Sequence, residues 1–369
     1  MVILIVGLGT IGEPLAHLFL QLKKELGVSE LIIHKNTPEL RHRGMLKRFH
    51  RMGAKLAVYE EKKKNFQELL APKGFCPDYT FEEALDLADV VIDCTKEKVG
   101  RQLKQKYYEA WSVKRPNMGF IAQGSEKGFG KPYAYSINDK FLVSQTDRFI
   151  QVVSCNTHQL LCLLRTLIFD GIGVHGLLQA RFHINRRASD ISQTDSTVGI
   201  EVGAPTHDLY GSHQGEDAAR VIATLGPGYD GLDIHTVADK SNNPFMHVVN
   251  FNFIVRAPVS RDSVEKMFRG NPLVGITYLQ TNNEVFSIGR DWGNFGRILN
   301  QTVVCLPSLQ VRELMSGYFE IIGRCFTPQD GNSLLSSVAA TLFFQNPNTY
   351  CSKLFEVLYR EPFLFIDEI

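Results

Sequence analysis

The sequence predicts an α/β chain in two parts, a doubly wound parallel sheet followed by a domain built on a mixed sheet. Three observations carry this. Val2–Val6 is a continuous apolar run, as a strand buried on both faces of a parallel sheet requires, and it leads directly into a glycine-rich turn. Further on, Val152-Val153-Ser154-Cys155-Asn156-Thr157-His158 reads as a strand, a turn and the start of a helix, with Leu160, Leu161, Leu164 and Leu167 at helical spacing. Finally, 369 residues exceed what one hydrophobic core usually serves. The boundaries are set at 1–154, 155–330 and 331–369, the last a helix and tail.

Composition narrows the function classes. A net charge of +1 predicts no strong attraction to nucleic acid or to an anionic membrane. The seven cysteines are an odd number without a C-x-x-C pair, which suits a reduced, cytoplasmic setting and suggests no metal site. There is no basic leader before the first strand and no apolar run long enough to span a bilayer.

The turn after the first strand is Gly7-Leu8-Gly9-Thr10-Ile11-Gly12, a G-x-G-x-x-G between strand and helix. Here Gly7 makes the tight turn, Gly9 lets backbone approach a pyrophosphate, and Gly12 allows close helix–strand packing. Thr10 and Ile11 complete a Rossmann-type cradle. A helix with Leu15, Leu18, Phe19 and Leu22 on one face follows, then the strand Glu30–His34. An NAD-preferring site places Asp or Glu at the end of that strand. This chain has His34-Lys35-Asn36-Thr37, and a cationic, hydroxyl-bearing turn at Lys35 and Thr37 accepts a 2′-phosphate, so NADP is preferred over NAD. The bland alternative is that Lys35 is a solvated loop residue. Residues 39–64 are basic but interrupted by Glu60 and Glu61, and read as a solvated helix face.

A short helix over Phe81–Ala88 leads into the strand 88–95, which places Thr95 at the ligand-bearing end of the sheet. The strand Gly119–Ala122 ends in the polar loop Gln123-Gly124-Ser125-Glu126-Lys127, with Gln123 and Gly124 on the cofactor side. Cys155 then falls at a helix N-terminus, where the helix dipole and unpaired N–H groups favour the nucleophilic thiolate. A buried structural cysteine is the alternative.

Taken in order, the opening G-x-G-T-I-G, the Lys35–Thr37 turn, Val91-Ile92-Asp93-Cys94-Thr95, the Gln123–Lys127 loop and Ser154-Cys155-Asn156-Thr157 resemble the archaeal-type glyceraldehyde-3-phosphate dehydrogenases, from residue 1 to about 330. The resemblance implies Cys155 as nucleophile, NADP or NAD as cofactor, a small phosphorylated aldehyde and inorganic phosphate as partners, a homotetramer, and a final helix that packs back on the cofactor domain. It also implies His247, in Met246-His247, as the base that takes the hydroxyl proton while hydride leaves. Arg186 and Arg187 match a double arginine at a strand end, where guanidinium suits phosphate; the segment after them, ending at Asp190, continues the match. With Asn156, Thr157 and His213 they are the substrate and phosphate candidates. Without the resemblance, surface arginines and a satisfied core histidine remain the ordinary readings.

This chain departs from the family at several points. Gln214 stands where a second histidine is usual, Glu216 where proline is usual, and Pro244 and Phe245 where threonines are usual. His158-Gln159 replaces Thr-Gly. His158 lies one turn from Cys155 and could enlarge or close the phosphate pocket, pair with the thiolate, or shift substrate choice. The implied reaction is reversible oxidation of glyceraldehyde 3-phosphate through a cysteine thioester. The departures keep open a related aldehyde or acyl-phosphate reductase with another substrate, and a non-catalytic NADP-binding sensor. Later segments are read as a helix at Ser263–Phe268, short elements at Val303–Leu306 and Gln310–Leu314, a last sheet strand from Tyr318, an apolar helix over Ser333–Phe344, and an aromatic tail from Asn346, with Phe363, as an oligomer contact.

Overall fold

The structure, a computed structural model, describes residues 1–188, 199–243, 245–292, 296–328, 330–361 and 364–369. The chain divides into two compact units. The first comprises Met1–Lys131, Val143–Val152 and Ser337–Arg360; the second comprises Pro132–Leu142, Val153–Ser336 and Glu361–Ile369.

The first unit is built on the strands β1 (Val2–Val6), β2 (Glu30–His34), β3 (Lys55–Val58), β4 (Tyr79–Thr80), β5 (Val90–Asp93), β6 (Gly119–Gln123), β7 (Lys131–Tyr133) and β8 (Phe149–Val152). They form one sheet in the order β4-β3-β2-β1-β5-β6-β8-β7. Every pairing from β4 to β8 is parallel. The apolar runs behave as expected: Ile3, Leu4 and Ile5 are fully buried, as are Val91 and Ile92. The helices are α1 (Gly12–Gln21), α2 (Arg43–Arg51), α3 (Lys63–Leu70), α4 (Phe81–Leu87), α5 (Val99–Leu103) and α6 (Glu109–Lys114). Thr80 caps α4 through a reciprocal capping box with Glu83, which explains the sharp helix start. Because these strands run parallel, the loops after β1, β2, β5 and β6 all leave from one edge. Gly7–Gly12, Lys35, Thr95 and Gln123 therefore gather there. β1 lies between β2 and β5, at the point where strand order reverses, which is where such sheets open a crevice for ligands.

The second unit carries α7 (Cys155–Leu164), β9 (Leu177–Arg186), α8 (His213–Ala223), β10 (Ile234–Lys240), β11 (Val248–Val255), α9 (Arg261–Gly270), β12 (Val274–Thr277), α10 (Asn282–Trp292), β13 (Thr302–Met315), β14 (Tyr318–Phe326) and the first residues of α11 (Gly331–Gln345). Its sheet order is β10-β9-β11-β14-β13-β12. The outer pairs β10–β9 and β12–β13 are parallel and the central pairs antiparallel, so the sheet is mixed. Alternation sets its buried face: Ala180, Phe182 and Ile184 from β9 and Val249, Phe251, Phe253 and Val255 from β11 are buried.

Two local expectations need correction, and the tail takes a definite form. The segments 303–306 and 310–314 are parts of the single long strand β13, with a register break between Cys305 and Gln310. Phe245, Met246 and His247 precede β11 in a loop and are not sheet residues, because Asn243 turns that loop by accepting the Phe245 N–H and donating to the Met246 carbonyl. The aromatic tail forms α12 (Tyr350–Leu358) and then pairs inside its own chain, with the Ile369 N–H on the Ile276 carbonyl at 2.8 Å and Asn300 bonded both ways to Ile366. The tail covers the free edge of β12. Asp190, Pro244 and Phe363 lie outside the described residues.

Candidate active site

The glycine turn has the shape that a dinucleotide requires. Gly7 sits at φ +91°, where only glycine is comfortable, and a Cβ on Gly12 would fall 2.0 Å from the Gly7 carbonyl oxygen. A Cβ on Gly9 would meet nothing within 4 Å, so open space lies against its backbone. Ile11 gives α1 no side-chain cap, and the Glu13 N–H is taken by the Gly9 carbonyl at 3.0 Å. These residues fit a pyrophosphate.

The end of β2 carries no carboxylate. His34 is buried between the rings of Tyr59 and Phe81, and burial with the nearby Lys62 and Lys35 charges pushes it down to about 3, so it is neutral. Lys35 is half-buried; burial lowers it, and its Nζ lies 3.4 Å from His42 Nε2. Lys62 Nζ donates to Asn36 Oδ1 at 2.5 Å. The turn that includes Thr37 is thus flanked by two lysines. On the neighbouring strand, Thr95 gives both its N–H and its hydroxyl proton to Asp93 Oδ1, at 2.9 and 2.5 Å. Tyr108 donates to the other Asp93 oxygen at 2.7 Å. The Gln123 amide and the Ser337 hydroxyl bond each other, and the Gly124 N–H reaches the Val152 carbonyl at 2.8 Å.

In the second unit Cys155 is the first residue of α7. Ser154 is the N-cap, and its Oγ accepts the Thr157 N–H at 3.4 Å and pairs with Thr157 Oγ1 at 2.9 Å. Cys155 is 9% exposed. Cys162 and Cys325 are pushed up to about 12 by burial and stay thiols.

His158 turns away from the open choices that the sequence leaves. Its Nδ1 bonds the Ser154 carbonyl at 2.9 Å and its Nε2 the Ser336 hydroxyl at 2.7 Å. Burial pushes it down to about 4, so it is a neutral, satisfied ring holding the first turn of α7. Gln159 is likewise internal, donating to Thr302 and accepting from Thr327.

One segment, Thr327–Asn332, ties these pieces together, and nothing in the local sequence pattern singles it out beyond a helix start. The Thr327 N–H donates to the His247 carbonyl at 3.1 Å. The Thr327 hydroxyl reaches Asn156 and Gln159, at 3.3 and 2.5 Å. Asn332 donates to the Cys155 carbonyl at 2.9 Å and to the Gln301 carbonyl at 3.1 Å. Asp330 pairs with Arg187 at 2.8 Å. Burial alone would raise the Asp330 carboxyl, but Arg187 and Arg297 override it and hold it at about 2. Asp330 adopts φ +66°, and a Cβ on the following Gly331 would lie 1.7 Å from the Ile298 carbonyl oxygen, so the turn is tightly fitted.

His247 accepts the Arg187 backbone N–H at Nδ1, at 2.9 Å. Burial and then the Arg187 charge push it down to about 3. The two adjacent arginines therefore differ. Arg187 is buried and paired with Asp330, whereas Arg186 is half-buried and its Nε reaches the Asp239 carbonyl at 3.4 Å. His213 opens α8 at the N-cap Ser212, and Gln214 folds back to accept the Ser212 hydroxyl at 2.7 Å.

No protein-family model matches the chain. A glyceraldehyde-3-phosphate dehydrogenase of Metallosphaera sedula is 30% identical over 269 residues, covering 71% of this chain and 72% of the relative. The chain belongs to the glyceraldehyde-3-phosphate dehydrogenase family, in its archaeal form. Glyceraldehyde-3-phosphate dehydrogenases of Pyrobaculum islandicum and Methanocaldococcus jannaschii are each 25% identical over 84% of the chain, covering 83% and 85% of those relatives. With the parallel sheet, family membership gives the coarse class, an oxidoreductase that takes a nicotinamide cofactor. Among the described residues no helix is long and apolar enough to cross a membrane, and no cluster of His, Cys, Asp or Glu is placed to hold a metal. His158 and Gln214 are both satisfied internally.

Proposed function

We propose that this glyceraldehyde-3-phosphate dehydrogenase homologue oxidises glyceraldehyde 3-phosphate to 1,3-bisphosphoglycerate, reversibly, with NADP preferred over NAD. The observation that carries the reading is the single segment Thr327–Asn332 that bonds both the Cys155 and the His247 backbones, which is how a nucleophile and its partner are held to one geometry. Cys155 attacks the aldehyde carbon to give a thiohemiacetal, with His247 serving the oxygen on that carbon. A bound nicotinamide cofactor supplies the hydride acceptor. Inorganic phosphate then releases the acyl group from sulfur as an acyl phosphate. Gly7, Gly9, Thr10, Ile11 and Gly12 hold the pyrophosphate, and Lys35 and Thr37 the 2′-phosphate. Thr95, Gln123 and Gly124 line the cofactor side. Arg186, His213, Asn156 and Thr157 bind the substrate anion, and Arg187 contributes from behind. The working assembly is a homotetramer.

A second reading draws on the Arg187–Asp330 pair. With one arginine of the doublet neutralised, the pocket suits a less highly charged aldehyde. The test is to mix the protein with glyceraldehyde 3-phosphate, phosphate and either cofactor, and to follow reduced-cofactor absorbance beside Cys155→Ser. Turnover that needs Cys155 and runs faster with NADP supports the first reading. Absence of turnover despite NADP binding overturns the triose substrate.

A further inference from the structure

The loop after β3 brings a second cation to the turn after β2. The two strands run parallel in the register Ile32↔Lys55, Ile33↔Leu56 and His34↔Ala57, so their chains leave the sheet at the same edge. The Lys35 N–H donates to the Ala57 carbonyl at 3.3 Å, which holds the two exits side by side. From the second exit Lys62 reaches back, and its Nζ donates to Asn36 Oδ1 at 2.5 Å. Asn36 stands between Lys35 and Thr37, the two residues assigned above to the 2′-phosphate.

Lys62 differs from the other cations of the basic stretch 39–64. Arg41 pairs with Glu39, and Lys63 with Glu60 at 3.8 Å. Among the described residues no carboxylate forms an ion pair with Lys62. Its hydrogen-bond acceptor is a neutral amide, and its ammonium lies 5.8 Å from the centroid of the Tyr59 ring. Tyr59 in turn packs edge-on against His34, with centroids 4.8 Å apart. Packing therefore directs Lys62 toward the end of β2. The buried His34 ring feels both ammonium charges, that of Lys62 more than that of Lys35. Lys35 is half-buried and touches His42, and burial weighs against its charge.

We propose that Lys62 is a specificity-determining residue, which closes with Lys35 on the 2′-phosphate of NADP and gives up Asn36 Oδ1 as it does so. The proposal rests on the reading that the turn 35–37 receives a 2′-phosphate. A hydrogen bond from an ammonium to a charged oxygen is about twice as strong as one between neutral groups, so a phosphate docked beside Asn36 outcompetes the amide. Lysine suits the exchange, being a compact charge on a flexible stem. A phosphate monoester carries a charge of about −1.5 to −2 at pH 7, which two ammonium groups balance and one does not. The ribose hydroxyl of NAD offers Lys62 no such exchange.

The test is calorimetric titration of the full-length protein with adenosine 2′,5′-bisphosphate and with adenosine 5′-phosphate, which differ only in the 2′-phosphate and need no turnover. Wild type should bind the bisphosphate more tightly. Lys62→Ala should weaken bisphosphate binding roughly tenfold or more and leave the monophosphate unchanged. Lys62→Arg, which keeps the charge, should retain most of the preference, and Lys63→Ala should retain all of it. If wild type prefers the bisphosphate and Lys62→Ala keeps that preference, Lys62 has no part and the NADP reading stands. If wild type binds both nucleotides equally, the NADP reading fails and the proposal falls with it. Equal weakening of both nucleotides in Lys62→Ala would mean that the lysine only shapes the turn, and a like loss in Lys63→Ala would mean a diffuse charge effect; either overturns the proposal.

Discussion

The side-chain amide of Asn332 donates to the carbonyl of Cys155 at 2.9 Å, across 177 residues of sequence. The same nitrogen reaches the Gln301 carbonyl. In Asn332→Leu two buried carbonyls lose their donor, at about 1–3 kcal/mol each. Thermal unfolding should show a lower Tm, and the alkylation rate of Cys155 should change while those of Cys76 and Cys351 do not.

Cys155 itself should stand out among the seven cysteines. At pH 7 iodoacetamide should modify Cys155 ahead of the more exposed Cys76 and Cys351, and leave Cys162 and Cys325 intact, as peptide mass spectrometry can read. Ser154→Ala removes the cap under Cys155 and should cost about 1 kcal/mol of stability.

The role proposed for Lys35 at the 2′-phosphate gives a direct test of cofactor choice. A charge-assisted contact to a 2′-phosphate is worth about 1.5–3 kcal/mol, so Lys35→Ala should weaken NADP binding roughly 10- to 150-fold and leave NAD binding unchanged. Titration calorimetry with each cofactor checks both arms.

Acid should destabilise the fold through buried histidine before it reaches the carboxylates. His158 is held neutral, from 6.5 down to about 4. The unfolded chain binds a proton that the folded chain refuses, so stability is complete above pH 6.5 and falls as pH drops toward 4, by about 3 kcal/mol. Urea unfolding at pH 7 and at pH 4.5 should differ by at least that amount, and His158→Gln should remove only its share, because His34 and His247 are also held neutral. Asp330, held at about 2, adds a second loss below pH 4.

Much of the first unit is legible in the sequence because its signals are local. An apolar run, three glycines and a helical stripe lie within residues 2–22, and each says what it does. The turn at Ser154 and the alternation of β9 are legible for the same reason. The rest is not, because its meaning lies in distant partners. His158 reads as a pocket residue until Ser336 is found opposite its Nε2, 178 residues on. Asp330 and Asn332 read as a polar helix start, since no local pattern says that one clamps Arg187 and the other holds Cys155. Arg187 looks equivalent to Arg186 because burial is invisible in an Arg-Arg pair.

The interleaving of the two units bears on how the protein is made. The polypeptide passes from one unit to the other after Lys131, Leu142, Val152, Ser336 and Arg360. A ribosome emitting residues in order cannot finish the nucleotide unit until 337–360 have emerged, long after β1. The other unit waits longer still, for the stretch 361–369 that closes the edge of β12. Until those segments emerge, both units lack their closing pieces and leave apolar surface uncovered, a state that invites aggregation and chaperone capture. Long-range closure of this kind also slows folding itself. Deleting the last nine residues should thus reduce soluble yield more than it changes any chemistry at Cys155.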